Sequence, residues 1–118
     1  CDVILANCYP YWEGCSLSYS VDYMHNMYQT AVKVANGKKV IVTETGWPNK
    51  GSMEGGAEPG YDNAMDYFIQ SQEWATSNNV ELFYFSSFDE AWKIHHEGAS
   101  GANWGLWDKD NQFKYSGE

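Results

Sequence analysis

The chain has 118 residues, a length for one small domain, and 43% of them are hydrophobic, enough for a core. A formal net charge of −9 leaves no basic stripe to neutralise phosphates, which argues against a nucleic-acid partner. No apolar run reaches membrane-spanning length and no signal peptide opens the chain, so no membrane partner is expected.

Residues 3–7 read as the first strand, with Val3, Leu5 and Asn7 on one face and Ile4 and Ala6 on the other. A loop punctuated by Pro10 and Gly14 follows and carries Tyr9, Tyr11 and Trp12. Ordinary loop packing and ligand contact both fit these rings. Cys1, Cys8 and Cys15 crowd the first fifteen residues. An odd number leaves at least one unpaired; a Cys8–Cys15 bridge requires the loop to fold back, and free, buried thiols are the expected state. Their spacing does not fit zinc, and no metal or cofactor is expected.

Ser18 or Ser20 is placed to cap a helix running to about residue 35, with Met24, Tyr28, Ala31 and Ala35 as its packed stripe. Asn36-Gly37 ends it. Residues 40–43 form a β-branched run that reaches Glu44 and breaks at Gly46-Trp47-Pro48. Residues 51–60 form a loop whose glycines suggest mobility, read equally well as a plain connector. A second helix is expected from residue 61 or 62 to 78, packed through Ala64, Phe68, Ser71 and Ala75. A third strand is expected over residues 80–87, delivering Phe88, Asp89, Glu90, Trp92 and Lys93 to the same end as Glu44. Trp104 to Asp108 and Gln112 to Tyr115 read as a small hairpin across an Asp-Lys-Asp-Asn turn. That turn lacks the glycine and terminal glutamate of a calcium loop. Strand, helix, strand, helix, strand is the pattern of an α/β fold with parallel strands and crossover helices.

Strict alternation puts Val40, Val42 and Glu44 on one face of the second strand and Ile41 and Thr43 on the other. An acid ending an apolar strand is costly to bury without a partner or a task. Taken alone, Glu44 reads more readily as an ion-pair member than as a catalytic group. The following residues shift that balance. Gly46 permits a sharp turn, Pro48 stiffens it, and Trp47 is held beside the acid. A carboxylate next to a fixed aromatic plate suits a neutral ligand with apolar CH faces.

Four stretches carry a family resemblance. Thr43-Glu44-Thr45-Gly46-Trp47-Pro48 resembles the nucleophile motif of glycoside hydrolase family 17, the β-1,3-glucanases and β-1,3-glucanosyltransferases. Asn7-Cys8-Tyr9-Pro10-Tyr11 resembles the end of that family's sixth strand. Phe85-Ser86-Ser87-Phe88-Asp89-Glu90-Ala91-Trp92-Lys93 resembles the end of its eighth. Glu97-Gly98 to Trp104-Gly105-Leu106-Trp107-Asp108 is similar to the closing segment of the microbial branch. The motifs occur in family order and span most of the chain.

The resemblance implies an α/β fold, the C-terminal portion of a (β/α)8 barrel with strands corresponding to the sixth, seventh and eighth. Such barrels need roughly 250 residues. Residues 1–118 therefore read as a single partial domain, consistent with a chain that does not begin with Met and starts almost directly in a strand. Its expected partners are a β-glucan or oligosaccharide substrate and the missing N-terminal part of the barrel, without which it is not expected to fold stably. The resemblance makes Glu44 the nucleophile and assigns substrate contact to Asn7 and Tyr9, with Tyr11, Trp12 and Trp47 beside them. Asp89, Glu90 and Lys93 are expected to fix charge and orient the sugar. The family's acid/base follows an asparagine, and no Asn-Glu pair occurs here, so that group is expected outside the chain. Glu90 is the best local substitute, ahead of Glu13 and Glu97. Hydrolysis is the primary expectation; transfer, or non-catalytic glucan binding, are the alternatives. An extracellular or cell-wall setting follows from the resemblance.

Overall fold

The computed structural model describes residues 1–116. Three strands, β1 (Val3–Asn7), β2 (Lys39–Thr45) and β3 (Leu82–Tyr84), form one parallel sheet in the order β1-β2-β3. Two long helices, α1 (Leu17–Val34) and α2 (Tyr61–Ser77), make the crossovers. The α/β architecture expected from the element order is present, and β2, which ends at the Glu44 region, is central. A 3₁₀ turn (Ala91–Lys93) runs into α3 (Ile94–Ala102), which is kinked at Gly98 where φ is 69°.

Both helices lie on one side of the sheet. Met24 of α1 and Trp74 and Ala75 of α2 close over Val42 together with Cys8 and Val80. A second, aromatic cluster of Tyr11, Trp47, Tyr67 and Trp104 with Ala57 and Ala64 caps the C-terminal strand ends. Ser71 is fully buried on the packed stripe of α2 and bonds the Phe68 carbonyl at 3.0 Å, as its small size allows. No helix of this chain covers the other face. Val3, Leu5 and Phe83 are exposed there.

Several expectations change. The helix α1 begins at Leu17 after Ser16, so neither Ser18 nor Ser20 caps it; Ser20 instead bonds the Leu17 carbonyl at 2.6 Å from inside the first turn. Its end is as expected, with Asn36 and Gly37 both at positive φ. The strand β3 is much shorter than residues 80–87. Val80 still bonds back to Ala75 of the helix at 2.9 Å, and residues 86–89 leave β2 to pair with 104–107. The tail does form the small hairpin: Trp107 bridges Phe113, and Asp108 Oδ1 accepts the backbone N–H groups of Asp110 and Gln112 at 2.8 and 2.9 Å. The helix α3 had no apolar period to announce it.

Residues 51–60 are tied down rather than loose. The Gly56 N–H donates to the Gly14 carbonyl at 2.9 Å, Glu54 pairs with Ala57, and the Ala57 side chain is fully buried. Gly51 sits at φ 141° directly against Ser100, so any side chain there would collide with it.

Candidate active site

Glu44 reaches its position through a break in strand alternation. Along β1, Ala6 pairs with Val42 but Asn7 pairs with Glu44; along β3, Leu82 pairs with Val42 and Tyr84 with Thr45. The central strand therefore takes up one extra residue over Thr43 and Glu44, a β-bulge. Its consequence is chemical. Thr45, not Glu44, follows Val40 and Val42 onto the helix side, where its hydroxyl meets the Tyr67 hydroxyl at 2.5 Å and is fully buried. The strict alternation expected from the sequence is thereby corrected: Glu44 is turned away from the helices and is partly exposed at the strand end. Gly46 must be glycine, since a β-carbon there would strike the Phe85 carbonyl oxygen.

The Tyr9 hydroxyl donates a hydrogen bond to Glu44 Oε2. Burial pushes the Tyr9 phenol well above its ordinary range, reinforced by that bond and by the negative charges of Glu44, Glu97 and Glu90. The phenol consequently stays a proton donor, and it orients one carboxylate oxygen while leaving the other uncommitted to it. Tyr9 itself is held edge-on by Trp104 at 5.5 Å and Phe85 at 6.3 Å. Beside them the Lys93 ammonium pairs with Glu90 at 2.9 Å and lies 4.7 Å from the Phe85 ring centre. On the face that no helix covers, the Thr43 hydroxyl donates to Asn7 Oδ1 at 2.8 Å, and Asn7 is exposed. Glu44, Tyr9, Asn7, Glu90 and Lys93 thus gather at one rim.

Other expected contacts lie elsewhere. Trp47 is only 1% exposed and Tyr11 not at all, so neither presents a face to a ligand. Trp47 packs on Tyr11 and Tyr67 at 5.3 and 5.4 Å and donates its indole N–H to the Glu58 carbonyl at 2.8 Å. It is the hub of the loop core, which is why the sequence holds it so rigidly. The Tyr11 hydroxyl clasps two loops together, donating to the Ser52 carbonyl at 2.5 Å and lying 2.9 Å from Ser100 Oγ. Trp12 remains half-buried, tilted on Trp104 at 5.7 Å.

Asp89 is corrected as well. Its side chain is buried and bonded to Lys114 Nζ at 2.6 Å, and it accepts the Gly105 N–H at 2.9 Å. It anchors the terminal hairpin to the strand end and is turned to that pair, not to the rim. Burial outweighs the attraction of Asp89 and draws the Lys114 pKa down. The residues sequence reasoning underweighted are Phe85 and Trp104, the walls around Tyr9, and Thr43, which holds Asn7. Their only sequence signal was their place beside motif residues. Cys1, Cys8 and Cys15 are all free thiols, and burial first, then Cys15 and Glu13, pushes the Cys8 thiol up to about 12.

A carboxylate oriented by a tyrosine and ringed by aromatics stands here at the C-terminal end of a parallel strand, where β/α barrels place their active sites. The BtgE/BtgC glycoside hydrolase domain matches residues 1–105, and the chain belongs to that family, within glycoside hydrolase family 17 as the motifs imply. A glucan 1,3-beta-glucosidase of Candida albicans is 35% identical across 98% of the chain, and that of Saccharomyces cerevisiae 30% across 98%. The chain spans only 40% and 39% of their respective lengths. The family 17 beta-1,3-glucanosyltransferase of Rhizomucor miehei superposes with a TM-score of 0.90 at 30% identity, covering 97% of this chain and 41% of that enzyme. An active-site mutant of the same enzyme, solved in complex with laminaritriose, superposes with a TM-score of 0.91. The fold is thus the C-terminal portion of a (β/α)8 barrel.

Proposed function

We propose that this chain carries the nucleophile of a retaining glycoside hydrolase acting on β-1,3-glucan, and that further strands, with the acid/base, complete its barrel. The observation that carries the reading is the Tyr9–Glu44 hydrogen bond at the rim of the central strand. One Glu44 oxygen attacks the anomeric carbon, the glycosidic C–O bond breaks, and a second carboxyl group protonates the leaving oxygen. Water then gives a proton to that second carboxylate, attacks the anomeric carbon and breaks its bond to the Glu44 oxygen, which frees Glu44. Retention requires that second carboxyl about 5–5.5 Å away. Glu90 is ion-paired with Lys93, which suits it to fixing the local charge and not to delivering a proton. Asn7 and Lys93 are the rim groups that hydrogen-bond sugar hydroxyls, with Trp12 alongside.

A transfer reaction shares the first step, differing in that a sugar hydroxyl replaces water. The Rhizomucor miehei enzyme's description as a glucanosyltransferase favours testing it, and longer products from laminari-oligosaccharides would mark it. The fungal relatives support an extracellular or cell-wall setting. In the completed barrel, Glu44→Gln should lower turnover by on the order of 10⁴-fold while oligosaccharide binding persists. Unchanged turnover would remove Glu44 from the mechanism and leave a glucan-binding role.

A further inference from the structure

The terminal hairpin sends a charged side chain back among the loops that follow the strands. Lys114 Nζ donates to Asp89 Oδ1 at 2.6 Å and to Asn49 Oδ1 at 2.9 Å. The Lys114 and Asp89 side chains are only 9% and 7% exposed. Asn49 comes just after the Gly46-Trp47-Pro48 turn, and its own N–H donates to the Asn103 carbonyl at 3.0 Å. One ammonium therefore ties the loop after β2 to the loop after β3. A buried ion pair adds little net stability over apolar side chains of the same volume. What this pair adds is a fixed geometry, and the geometry leads to the site.

The same Asp89 oxygen accepts the Gly105 N–H at 2.9 Å, and the Lys114 N–H donates to the Leu106 carbonyl at 3.0 Å. On the other side of Gly105, the Trp104 carbonyl accepts the Ser86 N–H at 3.2 Å. There is no slack in this segment: a β-carbon on Gly105 would lie 2.2 Å from the Asp89 nitrogen. Trp104 is thereby fixed along its backbone, is 3% exposed, and stands edge-on to Tyr9 at 5.5 Å. The Tyr9 hydroxyl in turn donates to Glu44. Every link from Lys114 to Glu44 is a direct contact. The ion pair and Trp104 are already covered by this chain, so further strands of the barrel leave their burial in place.

We propose that Lys114 is a positioning residue: through Asp89 and Trp104 it holds the Tyr9 hydroxyl on Glu44 in the geometry that the attack requires. This rests on the function proposed above. The test is a double-mutant cycle between Lys114→Met and Tyr9→Phe in the completed barrel, read as kcat and KM on laminari-oligosaccharides. Lys114→Met should lower kcat by about tenfold, the scale of a small misplacement of a reacting group, with KM nearly unchanged. Tyr9→Phe should also lower kcat, and adding Lys114→Met to it should cost little more. If Lys114→Met does not fold with the Asp89 charge left unpaired, Asp89→Asn with Lys114→Met takes its place in the cycle; it removes both charges and keeps an acceptor for the Gly105 N–H. An equal kcat loss with and without the Tyr9 hydroxyl means general loosening and overturns the proposal. So does a loss carried in KM, or undiminished turnover in Lys114→Met or in Tyr9→Phe. Each of these leaves the Glu44 chemistry standing, whereas a wild-type barrel inert on all laminari-oligosaccharides overturns the glucan reading itself.

Discussion

The two faces of the sheet differ in how they are finished. On one, Val40, Val42 and Thr45 are sealed beneath α1 and α2, with Met24 and Tyr67 fully buried against them. On the other, Leu5, Asn7 and Phe83 lie exposed around Thr43 and Glu44. One extra residue in β2 decides which face receives the acid. Without the bulge, Glu44 would enter the helix-covered side and carry a large desolvation cost; with it, that place goes to a threonine whose hydroxyl finds a tyrosine. The helix-covered face is sealed within this chain; the other turns Leu5 and Phe83, together with Thr43 and Glu44, toward the side that a closed barrel encloses.

Truncations on the sealed side should produce the largest stability changes. Met24 has no exposed surface, so Met24→Ala in the completed barrel should cost about 2–5 kcal/mol in denaturant unfolding. A loss under half a kcal/mol would show that α1 packs there less closely than its burial indicates.

Next comes Tyr67→Phe. It removes the hydroxyl that pairs with Thr45 and leaves a buried polar atom behind, at a cost of about 1–3 kcal/mol. The same side predicts a pH effect. Burial raises the Tyr67 and Tyr84 phenols well above their ordinary value. Unfolded phenols ionise near pH 10, where the folded ones still hold their protons. Stability should consequently fall as pH rises past about 10, by about 1.4 kcal/mol per pH unit for each phenol. Lys114 acts oppositely: its lowered folded pKa favours folding as pH rises toward the unfolded lysine value. With two buried phenols against one lysine, the tyrosines win above pH 10. The phenolate absorbance of Tyr67 and Tyr84, taken as the difference from their phenylalanine variants, should therefore appear together with loss of circular dichroism. Phenolate signal from Tyr67 and Tyr84 in a still folded protein would contradict their burial.

How much of this was legible in the residues depends on which contacts are local. The β-branched run before Glu44, the alternation in β1 and the packed stripes of α1 and α2 are short-range patterns, and they read correctly. So did the Asn36-Gly37 helix end. The bulge did not, because it arises from pairing β2 with two neighbours whose registers shift at the same place. For the same reason Asp89 looked like a site acid: its partner Lys114 lies 25 residues away. A Gly-Trp-Pro turn specifies a fixed Trp47 without saying which side of the ring is covered, and packing covers both, so the plate expected beside Glu44 is buried in the loop core. Glu44, Tyr9, Asn7 and Lys93 lie in the motifs and the structure brings them to one rim, but only packing separates them from Tyr11 and Trp47 a few residues away.

The smallest effect belongs at the opposite end of the sheet. Lys39, at the start of β2, pairs with Glu81 just before β3 at 2.5 Å, and their side chains are 55% and 59% exposed. Two long, solvated side chains lose entropy on pairing and gain little Coulomb energy through water. Lys39→Ala should therefore change stability by less than about 1 kcal/mol, and raising the salt should shrink that further. Activity should be untouched, because the pair lies at the strand ends away from Glu44. A cost comparable to Met24→Ala would mean that the completed barrel covers this end as thoroughly as the helices cover Val42. The division between the two faces would then have to be redrawn along the strands as well as across the sheet.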